Sequence, residues 1–197
     1  MKTAEKTVET RLPTRWGMFR ALAYQRETET ALVLMMGDAT GGIPLVRIHS
    51  QCFTGEILGS LRCDCAGQLE VAMQAIAREG RGLLIYEYQE GRGIGLTAKL
   101  KAYALQDAGL DTVEANHALG FAADCRDFAL PVAILSELGI GRIRLLTNNP
   151  EKSRALRAAG IEVVARVRCE ARPTPYSLAY LRTKIEKMGH ILSLCEP

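Results

Sequence analysis

Apolar runs that end in turn residues alternate along this chain with stretches whose apolar positions recur at helical spacing. Ala31 to Met36 reads as a strand closed by Gly37-Asp38, and Pro44 to Ile48 as a second that leads toward Cys52. Gln68 to Glu79 sets Leu69, Ala72, Met73 and Ile76 on one helical face and stops at Gly80. Gly82 to Tyr86 is a buried strand by the same reasoning. Helices are predicted through Leu100, Tyr103 and Ala104 to Gly109, and through Phe128, Val132 and Leu135 to Gly139. Arg142 to Leu146 forms a strand broken by Asn148-Asn149-Pro150. A helix over Glu151 to Ala159, a strand over Ile161 to Val167 and a last helix over Ser177 to Met188 complete the pattern.

Strands and helices alternating at these lengths predict a layered α/β domain, with helices packed on a largely parallel or mixed sheet. With 197 residues, 48% of them hydrophobic, the whole chain, 1–197, is read as one domain. The polar segment 1–12 and the C-terminal tail are expected to be mobile, and the proline-containing stretch Arg166 to Tyr176 is a further candidate. Polar loops after strands are where such folds bind ligands.

Charge changes this picture little. The formal net charge of +3 arises from 25 basic and 22 acidic residues with no block of one sign that would suggest a nucleic-acid arm, and so modest an excess suits a small anion equally well. Met1 to Pro13 lacks an apolar core of signal-peptide length and no later stretch reaches the length of a membrane span, so a soluble, cytoplasmic protein is expected. In a reducing compartment six unevenly spaced cysteines point to a thiolate metal site more than to disulfides. Cys125, Cys169 and Cys195 are read as ordinary small residues.

Cys52, Cys63 and Cys65 form a C-x10-C-x-C arrangement. Three soft thiolates on one short loop suit zinc and leave a fourth tetrahedral position for water, which would make the metal catalytic. The alternative is a closed structural site with His49 or a distant cysteine as fourth ligand. Glu90-Gly91-Arg92-Gly93-Ile94-Gly95 follows a strand and precedes a helix, a place that favours an anion, although taken alone it reads first as a tight glycine turn. It has neither dinucleotide-fingerprint nor P-loop spacing. Asp124-Cys125-Arg126 reads as a capping Asp with a solvated Arg, and Thr147 to Lys152 as a turn and helix start.

Taken together, these segments resemble the GTP cyclohydrolase II family. The resemblance runs from Leu12-Pro13-Thr14 to Lys187-Met188-Gly189-His190. It includes Arg47-Ile48-His49-Ser50, Leu61-Arg62-Cys63-Asp64-Cys65, Gln89 to Leu96, Lys101 to Asp107, Asp111 to His117 and Leu145 to Pro150. It implies one zinc per chain on Cys52, Cys63 and Cys65, opening of the guanine ring of GTP at C8 with loss of formate, and release of pyrophosphate assisted by Mg²⁺. It further implies Tyr103 beside the zinc, Asp124 as proton acceptor, and Arg126 as nucleophile or charge stabiliser at the α-phosphorus. The implied nucleotide contacts are Arg47, Ile48, His49, Ser50, Gln51, Gln68, Glu90, Gly91, Arg92, Thr112, Thr147 and Lys152. A homodimer also follows from the resemblance, whereas the expectation of no nucleic-acid and no membrane partner rests on the charge distribution and the lack of a long apolar stretch.

One position departs from the pattern. The family usually carries Glu before the first cysteine, whereas this chain has Gln51. An amide accepts through one end only, so base recognition or the metal surroundings would change. A family member acting on another purine nucleotide, and a non-catalytic nucleotide-binding protein with structural zinc, are the competing readings.

Overall fold

The computed structural model describes residues 3–193; the tail beyond them, with Cys195, lies outside the described residues. It divides into two compact units, one formed by Met1–His49, Leu69–Tyr88 and Phe128–Cys169, the other by Ser50–Gln68, Gln89–Asp127 and Glu170–Pro197.

The first unit is built on a seven-stranded mixed sheet in the order β1-β2-β3-β5-β4-β6-β7. Its strands are β1 (Glu5–Thr14), β2 (Gly17–Arg26), β3 (Glu29–Met36), β4 (Leu45–Ser50), β5 (Gly82–Glu87), β6 (Arg142–Leu146) and β7 (Glu162–Val167). β1, β2, β3 and β5 pair antiparallel, while β4, β6 and β7 pair parallel. Successive side chains on a strand point to opposite faces, and the buried positions follow that rule. Ala31, Val33 and Met35 of β3 join Leu83 and Ile85 of β5 in one core, which takes in Leu130, Ile134 and Leu135 of α5 (Ala129–Glu137) and Leu156 of α6 (Pro150–Ala158). Leu84 joins a second core with Ala72, Met73 and Ile76 from α2 (Cys65–Glu79). Burying each of the valine, leucine, isoleucine and methionine side chains among these contributes roughly 1.5–3 kcal/mol.

The predicted α/β architecture is thus the observed one. Two strands had no counterpart in the hydrophobic pattern. Residues 5–12, read as mobile, lie in β1, which is exposed at nearly every position and so shows no apolar alternation. Its order comes from backbone pairing with β2, and its charges and Pro13 fit a sheet edge.

The second unit is mainly helical among the described residues. It holds the single-turn α1 (Phe53–Glu56), the start of α2, α3 (Gly95–Asp107), α4 (Thr112–Ala118) and α7 (Leu178–Met188). The short α4 begins at Asp111, whose carboxylate accepts from Val113 and Glu114 amides while Glu114 accepts from the Asp111 amide. This capping box was overlooked in the sequence because α4 is only seven residues long and carries no apolar stripe. Lys187 of α7 reaches both carboxylates of that box, tying the last helix to α4.

Candidate active site

In the second unit the chain brings three sulfurs together. Cys52 precedes α1, whose Glu56 amide donates to the Cys52 carbonyl at 2.8 Å, and the turn returns Cys63 and Cys65 to the same spot. The Sγ atoms of Cys52, Cys63 and Cys65 all lie within 4.8 Å of one another, and Cys52 and Cys63 are 3.5 Å apart. No other His, Cys, Asp or Glu among the described residues joins that group. Gly55 explains how the sulfurs fit. A Cβ there would stand 2.9 Å from the Cys63 sulfur and 3.1 Å from that of Cys52, so any side chain would crowd the cluster.

Asp64, between two of the cysteines, is held from below. Its carboxylate accepts from Lys184 Nζ at 2.6 Å and from Gln68 Nε2 at 2.5 Å, and the Lys184 and Asp64 side chains are almost wholly buried. Burial alone would raise the Asp64 pKa, but the Lys184 ammonium outweighs it and the carboxyl stays ionised.

The cluster's charge behaviour favours a cation. Hydrogen bonds from Cys63 and Cys65, then Lys99, hold the Cys52 thiol far below its ordinary range. Cys63 is pushed up to about 11 by its bond to Cys52, and Cys65 is pushed up by both neighbours and by burial. One thiolate forms readily and two more are opposed by its charge, a repulsion that a divalent ion would relieve. The donor set, all sulfur, suits zinc.

Two further groups border the sulfurs. Lys99 Nζ lies 3.2 Å from Cys52 Sγ and 2.7 Å from Glu90 Oε1. Tyr103 Oη is 3.3 Å from Thr54 Oγ1, which is itself 3.8 Å from Cys52 Sγ. Burial pushes the Tyr103 phenol up, so it keeps its proton at neutral pH.

The turn Glu90–Gly93 takes left-handed backbone at Gly91 and at Arg92, where φ is 62° and 60°. The Arg92 carbonyl accepts from the Cys125 amide at 3.0 Å, and a Cβ on Gly93 would meet the Cys125 carbonyl at 2.8 Å. The turn therefore docks the Asp124 to Asp127 segment. Asp124 caps no helix, since α5 starts at Ala129 without a side-chain cap. It instead grips Arg126, taking Nε at 2.9 Å and Nη2 at 2.5 Å, and Arg126 Nη1 reaches Ser50 Oγ at 3.4 Å. Far from solvated, the Arg126 side chain is 11% exposed. Burial works against the Asp124 charge, yet Arg126 holds its carboxyl below the usual range. Both terminal nitrogens of Arg92 are buried without a hydrogen-bond partner among the described residues, beside the Tyr180 ring at 5.4 Å. Gln51, Gly91 and Thr112 are half-buried in this unit.

In the first unit, Arg47 Nη1 donates to the Leu146 carbonyl at 3.0 Å and Nη2 lies 3.4 Å from His49 Nδ1. The His49 ring stacks on Tyr86 with centroids 5.6 Å apart. Lys152 Nζ donates to the Ile48 carbonyl at 2.9 Å. Asn149 caps α6, and the buried Thr147 hydroxyl accepts from the Asn149 amide at 3.0 Å. The expected turn and helix start is present, with Lys152 tying α6 to β4. Lys99, Asp64 and Lys184 were missed as site residues. Lys99 meets Cys52 from 47 positions away and Lys184 meets Asp64 from 120, while Glu90 and Gln68, their nearer partners at nine and four positions, form no motif that announces the site.

A profile of the GTP cyclohydrolase II family matches residues 5–168. The chain is 52% identical over 193 residues to the GTP cyclohydrolase-2 of Shigella dysenteriae serotype 1 (strain Sd197), covering 96% of this chain and 98% of that protein. Identity and coverage are the same with the GTP cyclohydrolase-2 of Escherichia coli O9:H4 (strain HS). It is 50% identical over 195 residues to riboflavin biosynthesis protein RibBA of Chlorobium phaeovibrioides (strain DSM 265 / 1930), covering 98% of this chain and 48% of that one. The chain thus spans about half the length of the RibBA proteins it matches. The match along most of the sequence shows that the chain belongs to the GTP cyclohydrolase II family, and the cluster of three cysteines is consistent with it.

Proposed function

We propose that this chain hydrolyses GTP in riboflavin biosynthesis, opening the guanine ring at C8 with loss of formate and releasing pyrophosphate to leave a diaminopyrimidinone ribosylamino monophosphate. The observation that carries this reading is the cluster of three cysteine sulfurs with a protonated Tyr103 close by in one unit. Zinc, one per chain, is proposed on Cys52, Cys63 and Cys65, and when bound it supplies the Lewis acidity that lets water attack at neutral pH.

The chain's own residues divide the remaining work. Tyr103, protonated and oriented by Thr54, is suited to donate a hydrogen bond or a proton at the ring that opens, and poorly suited to remove one. Asp124 stays ionised and holds Arg126 through two bonds, which keeps the guanidinium charged and aimed. That arrangement favours Arg126 as a charge stabiliser at the α-phosphate over a nucleophile, since a protonated guanidinium has no free lone pair to offer. A weakly basic Asp124 serves better as the orienting group than as proton acceptor. Arg92, with buried unpaired nitrogens, is the strongest phosphate contact in this unit. Ser50, Gln51, Gln68, Gly91 and Thr112 are the other nucleotide contacts proposed here. Gln68 is also committed to Asp64. In the first unit, Arg47, Ile48, His49, Thr147 and Lys152 are proposed in the same role.

Mg²⁺ is proposed with the triphosphate, whose charge it screens. A homodimer in the cytoplasm completes the reading; no helix among the described residues is long and apolar enough to cross a membrane.

The test is the product formed from GTP with Zn²⁺ and Mg²⁺ present, compared with other purine triphosphates. Formate and pyrophosphate in equal amounts from GTP are expected. Release of neither removes the proposal, and preference for another purine assigns the Gln51 departure to base selection.

A further inference from the structure

Lys99 is a buried cation on α3, its side chain 11% exposed, and lysine is seldom buried unless paired. It has two partners: Glu90 Oε1 at 2.7 Å and Cys52 Sγ at 3.2 Å. Both Glu90 oxygens are engaged by the protein itself. Oε1 also accepts from the Gly91 amide at 2.9 Å, and Oε2 accepts from the Phe53 amide at 2.6 Å. Phe53 follows Cys52, so one carboxylate fixes both the lysine and the backbone next to a ligand sulfur. The resemblance implies Glu90 as a nucleotide contact, but these bonds make it an anchor. Lys99 and Tyr103 stand four residues apart, so α3 presents them on one face, with Nζ 5.8 Å from the Tyr103 ring centroid.

We propose that Lys99 is a positioning residue of the thiolate centre: its ammonium, fixed by Glu90, donates to the Cys52 sulfur and offsets charge that three thiolates gather there. The inference rests on the reading of Cys52, Cys63 and Cys65 as metal ligands. Three thiolates around a divalent cation leave an excess of negative charge, and electron-rich sulfur weakens the cation's Lewis acidity. An N–H donor on one sulfur draws density back, as groups around a metal's direct ligands generally do. Nothing else among the described residues places a cation within hydrogen-bond distance of these sulfurs.

The experiment loads wild-type protein, Lys99→Met, Lys99→Arg and Glu90→Gln with Co²⁺ and records the sulfur-to-cobalt charge-transfer band, with formate and pyrophosphate release measured on the zinc forms. In Lys99→Met the Cys52 sulfur loses its donor and holds its electrons less tightly, so the band moves to lower energy. Formate release falls about 10–100-fold with pyrophosphate release retained. Lys99→Arg keeps the band near its wild-type position, and Glu90→Gln moves it by a smaller step in the same direction. A band unmoved in Lys99→Met overturns the inference. Should circular dichroism show Lys99→Met unfolded, an unmoved band in Glu90→Gln does so. Wild-type protein that binds no Co²⁺ instead removes the metal reading on which all this depends.

Discussion

The two units bury different chemistry. In the sheet unit most of the interior is Val33, Ile85, Ile134, Leu145 and their apolar neighbours on both faces of the strands, with Arg47, His49, Glu87 and Lys152 among the charged or titratable side chains buried with them. In the helical unit the buried or nearly buried groups include three thiols, Lys99 with Glu90, Lys184 with Asp64, and Asp124 with Arg126. An apolar core tolerates loss of a side chain roughly in proportion to the area lost. A buried ion pair does not, because removing one partner strands the other's charge. The sheet unit therefore depends mainly on apolar packing, and the helical unit gathers the thiols and the paired charges around them.

The sharpest way to break this contrast is a matched pair of substitutions. Lys184→Met strands Asp64 between two cysteines and is expected to cost about 3–5 kcal/mol. It should also impair metal binding, since Asp64 sits inside the Cys63 to Cys65 segment. Ile85→Ala in the sheet is expected to cost about 2–5 kcal/mol with metal content unchanged. Denaturant unfolding together with metal analysis checks both; metal loss in Ile85→Ala, or full metal in Lys184→Met, would erase the distinction.

These particulars also mark what the sequence could reveal. Strands β3 to β7 and helices α2 and α5 were legible because one face or both are apolar, and the cysteine cluster because its members lie close together in the chain. β1 was not, since it buries almost nothing, and α4 was not, since it is held by capping and by Lys187. The lysines at the site were illegible for a related reason. A buried lysine looks like a surface one until the fold turns it inward onto its carboxylate, Glu90 for Lys99 and the distant Asp64 for Lys184.

A smaller effect is expected at His190. Burial, then Lys184, Arg92 and Arg126, lower its pKa from 6.5 to about 4, so the folded chain holds the ring neutral where the unfolded chain would protonate it. The unfolded state binds more protons between these values, and stability must therefore fall as pH drops from 6.5 toward 4. Removing the titrating ring by His190→Gln should flatten that part of the stability profile and leave the region above pH 7 unchanged. Equal slopes in the two proteins would place the acid sensitivity elsewhere.

The central claim is that Cys52, Cys63 and Cys65 hold a catalytic zinc. The most direct measurement is zinc content and formate release from GTP in wild-type protein and in Cys63→Ser, with near-ultraviolet circular dichroism as the check on folding. The account predicts one zinc per wild-type chain and a folded Cys63→Ser protein that has lost both zinc and formate release. A folded Cys63→Ser protein that still releases formate at the wild-type rate would contradict it.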